Sequence, residues 1–451
     1  MNTALVILAA GMGTRMNSEL PKVLHPLAGA PMLVHAMKAG FALDAMACVI
    51  VTGHGAQAVA AAARDWNEDA QCVVQAPQLG TAHAVAQAAT ALDGFEGDVI
   101  VLYGDTPLIR AETLEAMQEA RKAHDIVVLG FHAADPGRYG RLVMDGSQLE
   151  RIVEFKDATD QQRAITLCNS GIVIADKSVL FDLVAAVGND NAAGEYYLTD
   201  IIAIARTRGL SATAVTCDEG ETLGINTRTE LAQAEAAFQA RARAQALEDG
   251  VTLIAPDTVH FAHDTVIGRD AVVEQNVVFG PGVTVESGAR IRAFSHLEGC
   301  HVSQRAIVGP YARLRPGAEL AEDVHVGNFV EIKNAVLHEG AKANHLSYIG
   351  DATIGAGSNI GAGTITCNYD GVMKHHTEIG RGAFIGSNTM LVAPVRVGND
   401  AMTGSGSVIT TDVPDGALAL GRAEQVVKPG MAVKLMDILR ARKAKKNKEN
   451  N

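Results

Sequence analysis

No Cys-x-x-Cys pair occurs among the six cysteines, Cys48, Cys72, Cys168, Cys217, Cys300 and Cys367, which excludes the usual zinc and dithiol redox motifs. Scattered through 451 residues, they read as reduced thiols of a cytoplasmic protein. No apolar run approaches the roughly 20 residues of a membrane helix. The run Ala4–Ala10 has no basic residue before it and Arg15 close after it, so no secretory signal is expected. Positive charge is also short. A formal net charge of −13 argues against a nucleic-acid binder, so a phosphorylated ligand must be met by local cations and backbone N–H groups. The basic stretch Arg440–Lys448 reads as a solvated tail. Aromatics make up only 4%, which disfavours a core of large rings. Glycine is plentiful at 45 residues and points to many tight turns. The length predicts two or three domains.

The second half has a period of six. An aliphatic or large apolar residue stands at Ile267, Val273, Phe279, Val285, Ile291 and Leu297, again at Val308, Leu314, Leu320, Val326 and Ile332, and again at Ile379, Ile385, Leu391 and Val397, with Thr403 in phase. Four residues after these members come small or β-branched ones, from Ala271 and Val277 to Val330 and Val336. Glycine often follows the aliphatic position, as in Val326-Gly327 and Ile385-Gly386, and suits turns with unusual φ/ψ. Six fits neither a helix nor an alternating strand. It fits a short strand plus a turn, three to a triangular coil, with stacked coils burying their corners in one ladder. Interruptions fall between Leu297 and Val308 and over Thr366–Glu378, and His338–Tyr348 reads as irregular. Insertions in such a solenoid become projecting loops. This pattern resembles the hexapeptide-repeat, left-handed parallel β-helix family, for which trimers with acyl-CoA sites between neighbouring prisms are implied.

The first half opens on a buried strand, Ala4–Ala10, that runs into Gly11-Met12-Gly13-Thr14-Arg15-Met16, with Pro21-Lys22 soon after. A glycine loop after a strand brings backbone N–H groups close to phosphate oxygens. Met16 breaks the dinucleotide fingerprint, and no Gly-Lys-Ser/Thr closes a Walker loop. A plain strand–helix turn is the bland alternative. Val99–Leu102 reads as a second buried strand with Asp105 just past its end, where such sheets bind ligands. Asp105 offers a hard oxygen to Mg2+, and Asn226 could add another. Glu154 and Asn169 suit sugar hydroxyls, with local backbone capping as the alternative.

Together, Leu8-Ala9-Ala10-Gly11-x-Gly-x-Arg15 with Pro21-Lys22, Gln75 through Gly80-Thr81, Tyr103-Gly104-Asp105, Gly140, Glu154, Asn169 and Gly224-Ile225-Asn226 resemble the sugar-1-phosphate nucleotidyltransferases. The implied fold is an α/β, Rossmann-like domain with a mostly parallel sheet. Both halves, over essentially the whole chain, are similar to the bifunctional N-acetylglucosamine-1-phosphate uridylyltransferase/glucosamine-1-phosphate acetyltransferase family. The expected organisation is a uridylyltransferase domain at 1–227, a linker helix at 228–249 and a β-helix acetyltransferase domain with a tail at 250–451. In the first domain Leu8, Ala9, Ala10, Gly11, Arg15, Lys22, Gln75, Gly80, Thr81, Tyr103, Gly104, Asp105, Gly140, Glu154, Asn169 and Asn226 are implied to bind nucleotide and sugar, and Asp105 and Asn226 to hold Mg2+.

In the second domain His345 is implied to be the catalytic base, a role that suits a side chain titrating near neutrality. Arg315, Lys333, Tyr348 and Asn359 would bind the amino-sugar phosphate. Ala362, Asn368, Tyr369, Ser387, Ser405 and Arg422 would bind acetyl-CoA. The substrates implied are UTP, N-acetylglucosamine-1-phosphate, glucosamine-1-phosphate and acetyl-CoA, in a homotrimer without nucleic acid or membrane. Met12 departs from the family's usual Lys, and Ser405 from its frequent Ala. Adjacent His375 and His376 are poor chelators without a third ligand and read as solvent-exposed. Two rivals remain: a single-function nucleotidyltransferase with a structural β-helix, and a catalytically dead regulatory subunit. The long ladder and His345 argue against the first; Lys22, Asp105 and Asn226 argue against the second.

Overall fold

The computed structural model describes residues 2–449. The chain resolves into two compact units, Met1–Ser287 with His296–Gly299, and Gly288–Ser295 with Cys300–Asn451. Among the described residues, no helix is long and apolar enough to cross a membrane.

The first unit is built on strands β1 (Thr3–Ala9), β4 (Ala47–Thr52), β5 (Gln71–Val74), β6 (Asp98–Tyr103), β7 (Ile126–His132), β8 (Arg141–Asp145), β9 (Gln148–Val153), β10 (Leu167–Asp176) and β11 (Ala212–Cys217), with a small hairpin of β2 (Pro26–Leu27) and β3 (Ala30–Pro31). The main sheet runs β11-β7-β10-β6-β1-β4-β5. Its pairings are parallel except along β10, which is antiparallel to both neighbours. Every residue of β1 is buried, as expected for a parallel strand covered on both faces. Ala4, Val6 and Leu8 pack with helices α3 (Thr81–Ala86), α6 (Lys177–Ala185) and α7 (Asp200–Thr207). Leu5, Ile7 and Ala9 pack with α1 (Met32–Phe41), α2 (Ala56–Trp66) and α4 (Ala111–Arg121). Leu8 pairs with Tyr103, so the loops after β1 and β6 leave the sheet side by side.

Helix α8 (Arg228–Glu248) begins with a capping box between Thr227 and Glu230. It meets a buried histidine, His35, edge-on through Phe238. His35 donates from Nε2 to the Leu27 carbonyl oxygen at 2.8 Å, and burial lowers its pKa to about 4. The folded unit therefore prefers neutral His35, while the unfolded chain takes up a proton below about 6.5. Stability is expected to fall between pH 6.5 and 4, by roughly 3 kcal/mol from this residue. Denaturation midpoints across that range, wild type against His35→Phe, should show a steeper slope for the wild type. Parallel slopes would exclude this role.

Short parallel strands stack in the first unit as Thr252–Leu253 on Val272–Val273, Val266–Ile267 on Thr284–Val285 and Val278–Phe279 on His296–Leu297. The second unit continues in the same style, for example Arg313–Leu314 under Glu331–Leu337 and Phe384–Ile385 under Met402–Thr403. This is the left-handed parallel β-helix expected from the six-residue period. The aliphatic positions from Val273 to Thr403 are buried, each worth roughly 1.5–3 kcal/mol for a large side chain, and only Ile267 is half-exposed.

Three details differ from the sequence reading. Arg313 pairs with Glu331 eighteen residues on, but Ala318 pairs with Ala335 after only seventeen. The turn at Lys333-Asn334 is thus one residue short, so Ala335 takes the buried place expected for Val336, which faces outward. The same slip makes His338–Tyr348 look aperiodic. Its Lys342–His345 is in fact a regular strand between His325–Asn328 and Asn359–Ile360. The glycines after the aliphatic positions mostly serve close packing rather than unusual φ. A Cβ on Gly386 would stand 2.5 Å from the backbone nitrogen of Ser405 in the next coil. Finally, the basic tail lies within a helix, α9 (Met431–Glu449), which is exposed along its described length.

Candidate active sites

In the first unit a cavity of about 350 Å3 opens at the carboxyl ends of β1 and β6. Leu8, Ala9, Ala10, Gly11, Lys22, Gln75, Gly80, Thr81, Tyr103 and Asp105 line it. Gly13 turns the loop with φ 63°, and a Cβ there would stand 2.7 Å from that of Lys22, so glycine lets lysine lie along the loop. Lys22 Nζ donates to Asn226 Oδ1 at 3.0 Å and pairs with the Asp105 carboxylate. Two hard oxygens from distant positions thus converge on one cation. Asp105 and Asn226 are tied by backbone, since Ile225 N–H donates to the Asp105 carbonyl oxygen at 2.9 Å. Glu230 accepts from the N–H groups of Asn226 and Thr227 at 2.7 and 2.9 Å, so the capping box also holds Asn226. Arg228 donates to the Met16 carbonyl oxygen at 3.3 Å and to His25 Nδ1 at 3.1 Å, stapling the glycine loop to the same helix.

Gly140, Glu154 and Asn169 form a neighbouring group. A Cβ on Gly140 would lie 3.4 Å from Glu154 Oε1 and 3.6 Å from Asn169 Cβ. Burial raises the Glu154 pKa against the opposing hydrogen bond from Thr199, at 3.2 Å. Tyr103 borders both this group and the main cavity, and burial pushes its phenol pKa up. Arg15 lies exposed on the turn Thr14–Met16. Gly104 sits behind the cavity wall, donating its N–H to the Leu8 carbonyl oxygen at 3.0 Å. Gln78, not singled out from the sequence, lines the cavity and donates to the Ala10 carbonyl oxygen. It belongs to the same Gln75–Ala82 stretch.

In the second unit Asn328 and His345 are register partners in adjacent coils. His345 Nδ1 lies 2.9 Å from Asn328 Oδ1, which as a carbonyl oxygen accepts. The proton therefore sits on Nδ1, and the exposed ring presents the lone pair of Nε2. Asn328 was missed from the sequence, because only the seventeen-residue coil brings it beside His345. One edge continues upward from this pair. Gly363 N–H donates to the His345 carbonyl oxygen, Asn388 to Ala362, Gly406 to Ser387, and the Arg422 guanidinium to Ser405 at 2.7 Å. Ala362, Ser387, Ser405 and Arg422 are thereby aligned.

A second group gathers Arg315, Lys333, Tyr348 and Asn368 around Glu331 and Asp351. Arg315 pairs with Glu331 at 2.8 Å, and Asp351 accepts from Asn334 at 2.6 Å and from Asn368. Lys374, from the loop after Cys367, lies against Lys333 and lowers the pKa of that ammonium. Its place in the group was not foreseen, although it lies inside the interruption noted in the sequence. Asn359 is half-buried between Lys342 and Phe384. Tyr369 is 61% exposed; its hydroxyl donates to Gly371 within its own loop, and its backbone bridges that of Lys374. His375 pairs with Asp370 at 2.7 Å and His376 contacts Thr353 at 3.0 Å; neither shares a ligand set. Among the described residues no cluster of three or more His, Cys, Asp or Glu could hold a metal.

Fold and site define a nucleotidyltransferase sheet domain followed by a hexapeptide-repeat transferase. The MobA-like NTP transferase domain family matches residues 5–172, and the bacterial transferase hexapeptide family (six repeats) matches residues 376–411. The chain is 69% identical to the Bifunctional protein GlmU of Ruegeria pomeroyi over 100% of both chains, and 69% identical to that of Dinoroseobacter shibae over 99% of each. With the protein of the same name from Jannaschia sp. it shares 65% over 99% of this chain and 98% of that one. The apo crystal structure of UDP-glucose pyrophosphorylase is a more distant likeness, 17% identical with a TM-score of 0.44, covering 54% of this chain and 100% of that one. The chain belongs to the bifunctional GlmU family. It is a two-part transferase, nucleotidyl in its first part and acyl in its second.

Proposed function

We propose that the chain acetylates glucosamine-1-phosphate with acetyl-CoA and then transfers UMP from UTP to the N-acetylglucosamine-1-phosphate formed, giving UDP-N-acetylglucosamine and pyrophosphate. Residues 250–451 would carry the first reaction and residues 1–227 the second, with 228–249 joining them in a cytoplasmic homotrimer. The observation that carries the two-activity reading is His345 held by Asn328 with Nε2 free. A structural β-helix has no use for an exposed, tautomer-locked imidazole.

In acetyl transfer, Nε2 of His345 takes a proton from the sugar ammonium, and the freed amine attacks the thioester carbonyl; the C–S bond breaks and CoA leaves as the thiol. Arg315, Lys333 and Lys374 offer positive charge to the sugar phosphate, whose arrival relieves the repulsion between the two lysines. Tyr348 and Asn359 border the sugar, while Ala362, Asn368, Tyr369, Ser387, Ser405 and Arg422 meet acetyl-CoA.

In uridylyl transfer, a phosphate oxygen of the acetylated sugar attacks the α-phosphorus of UTP in line, and the bond to pyrophosphate breaks. The convergence of Asp105 and Asn226 on an ammonium fits a divalent cation as well, Mg2+ in our reading. When bound, that ion offsets the charge of two anionic substrates. Lys22, beside these two oxygens, and Arg15 would offer positive charge to the triphosphate. The backbone of the Gly11 loop approaches the phosphates, and Gly140, Glu154 and Asn169 border the sugar. The step depends on positioning and electrostatics more than on a strong base.

Release of CoA thiol, with glucosamine-1-phosphate and acetyl-CoA as the only substrates, tests the two-activity reading. Release that requires the sugar phosphate is expected. None from folded protein would reduce the chain to a nucleotidyltransferase.

A further inference from the structure

Arg228, the first residue of α8, is exposed and does not line the first-unit cavity. Its guanidinium nevertheless holds both ends of the segment that carries Lys22. Nε donates to the Met16 carbonyl oxygen at 3.3 Å and Nη1 to His25 Nδ1 at 3.1 Å. A guanidinium only donates, so His25 Nδ1 carries a lone pair and the neutral ring has its proton on Nε2. Burial and the Arg228 charge both lower the His25 pKa, which agrees with a neutral ring. His25 is 2% exposed, and its Nε2 is buried without a partner among the described residues. Arg228 is therefore the ring's one bond there. Without it, both ring nitrogens would be buried and unpaired, and release of the segment to water would be favoured. The stretch between the two anchors begins with Asn17–Leu20, which are exposed and not held by burial. Lys22 follows, bonded to Asn226, and its carbonyl oxygen accepts from the His25 N–H at 3.2 Å.

We propose that Arg228 is a positioning residue for nucleotidyl transfer, clipping Met16 to His25 so that Lys22 is presented to the cavity before a nucleoside triphosphate arrives. The proposal rests on the nucleotidyltransferase reading of this unit. Arg228 acts through the segment and not by touching the substrate. Without the clip the free protein populates an open segment. Nucleotide then binds the closed fraction alone, so its apparent affinity falls by that fraction, while the complex once formed is the same. The group proposed for the sugar lies elsewhere. Gly140 precedes β8, Glu154 follows β9 and Asn169 is on β10, so the sugar phosphate should not sense the clip.

The test is pyrophosphate release with UTP and N-acetylglucosamine-1-phosphate varied in turn, for wild type, Arg228→Met, Arg228→Lys and His25→Gln. Methionine keeps much of the aliphatic stem and removes the donors; Arg228→Ala replaces it if that variant does not fold. In Arg228→Met the KM for UTP should rise about tenfold or more, with kcat and the KM for the sugar phosphate within about twofold of wild type. Arg228→Lys, a single ammonium that can serve one end but not both, should lie between. His25→Gln, whose amide oxygen can accept in place of Nδ1, should stay near wild type. Without nucleotide, trypsin should cut after Arg15 or Lys22 several-fold faster in Arg228→Met, and saturating UTP should remove the difference. An unchanged KM for UTP in the folded variant overturns the proposal. So does a fall in kcat alone, or an equal rise in both KM values, which would mark general damage to the fold. A wild type that releases no pyrophosphate removes the nucleotidyltransferase reading and this proposal with it.

Discussion

Asp105→Ala is expected to cut uridylyl transfer by about a thousandfold or more while leaving acetyl transfer within about twofold. The carboxylate supplies the full negative charge that Lys22 pairs with where it meets Asn226. Removing it leaves one neutral oxygen to hold a divalent cation between two phosphorylated substrates. The fold should survive, because the backbone bond from Ile225 to the Asp105 carbonyl oxygen does not use the side chain. Asp105→Asn should lie between, with activity that climbs as divalent cation is raised, since geometry is kept and charge is lost. Pyrophosphate and CoA thiol release, read on one preparation, decide the matter. Loss of both activities in folded Asp105→Ala, or of neither, would refute the assignment.

His345→Ala should do the converse, lowering acetyl transfer by about a hundred- to ten-thousandfold and sparing uridylyl transfer. The ring is exposed and, among the described residues, its one side-chain bond is to Asn328, so little stability depends on it. Asn328→Ala should cost less, because the imidazole remains but its proton is no longer confined to Nδ1. Asn328→Asp keeps the acceptor and should restore most of the rate. An unimpaired His345→Ala enzyme would leave the edge ladder of Ala362, Ser387 and Ser405 without a base and return the β-helix to a scaffold.

Much of the architecture was legible because its causes are local or periodic. The all-buried β1 and the glycine loop each declare themselves within a few residues. The six-residue ladder declares itself by repetition. Where the repeat lost a residue, at Lys333-Asn334, counting failed: it put Val336 inside and left Lys342–His345 without a strand. A one-residue deletion shifts every later position relative to the count, yet the stacked coils absorb it in one turn.

The candidate sites divide in the same way. Residue types at motif positions were readable, so Lys22, Asp105, Asn226, Arg315, Lys333 and His345 were all named from the sequence. Partners were not, because partnership is a distance, and distances between remote positions are settled by packing. The sequence by itself determined the strands, the repeat and the chemistry each motif could offer. Only the tertiary structure decided that Asn328 stands against the His345 ring, that Lys374 stands against Lys333, and that the Gly80 carbonyl oxygen orients the Gln75 amide. In each case a hydrogen bond or a repulsion acts over about 3 Å, and no spacing along the chain encodes which groups folding will bring that close.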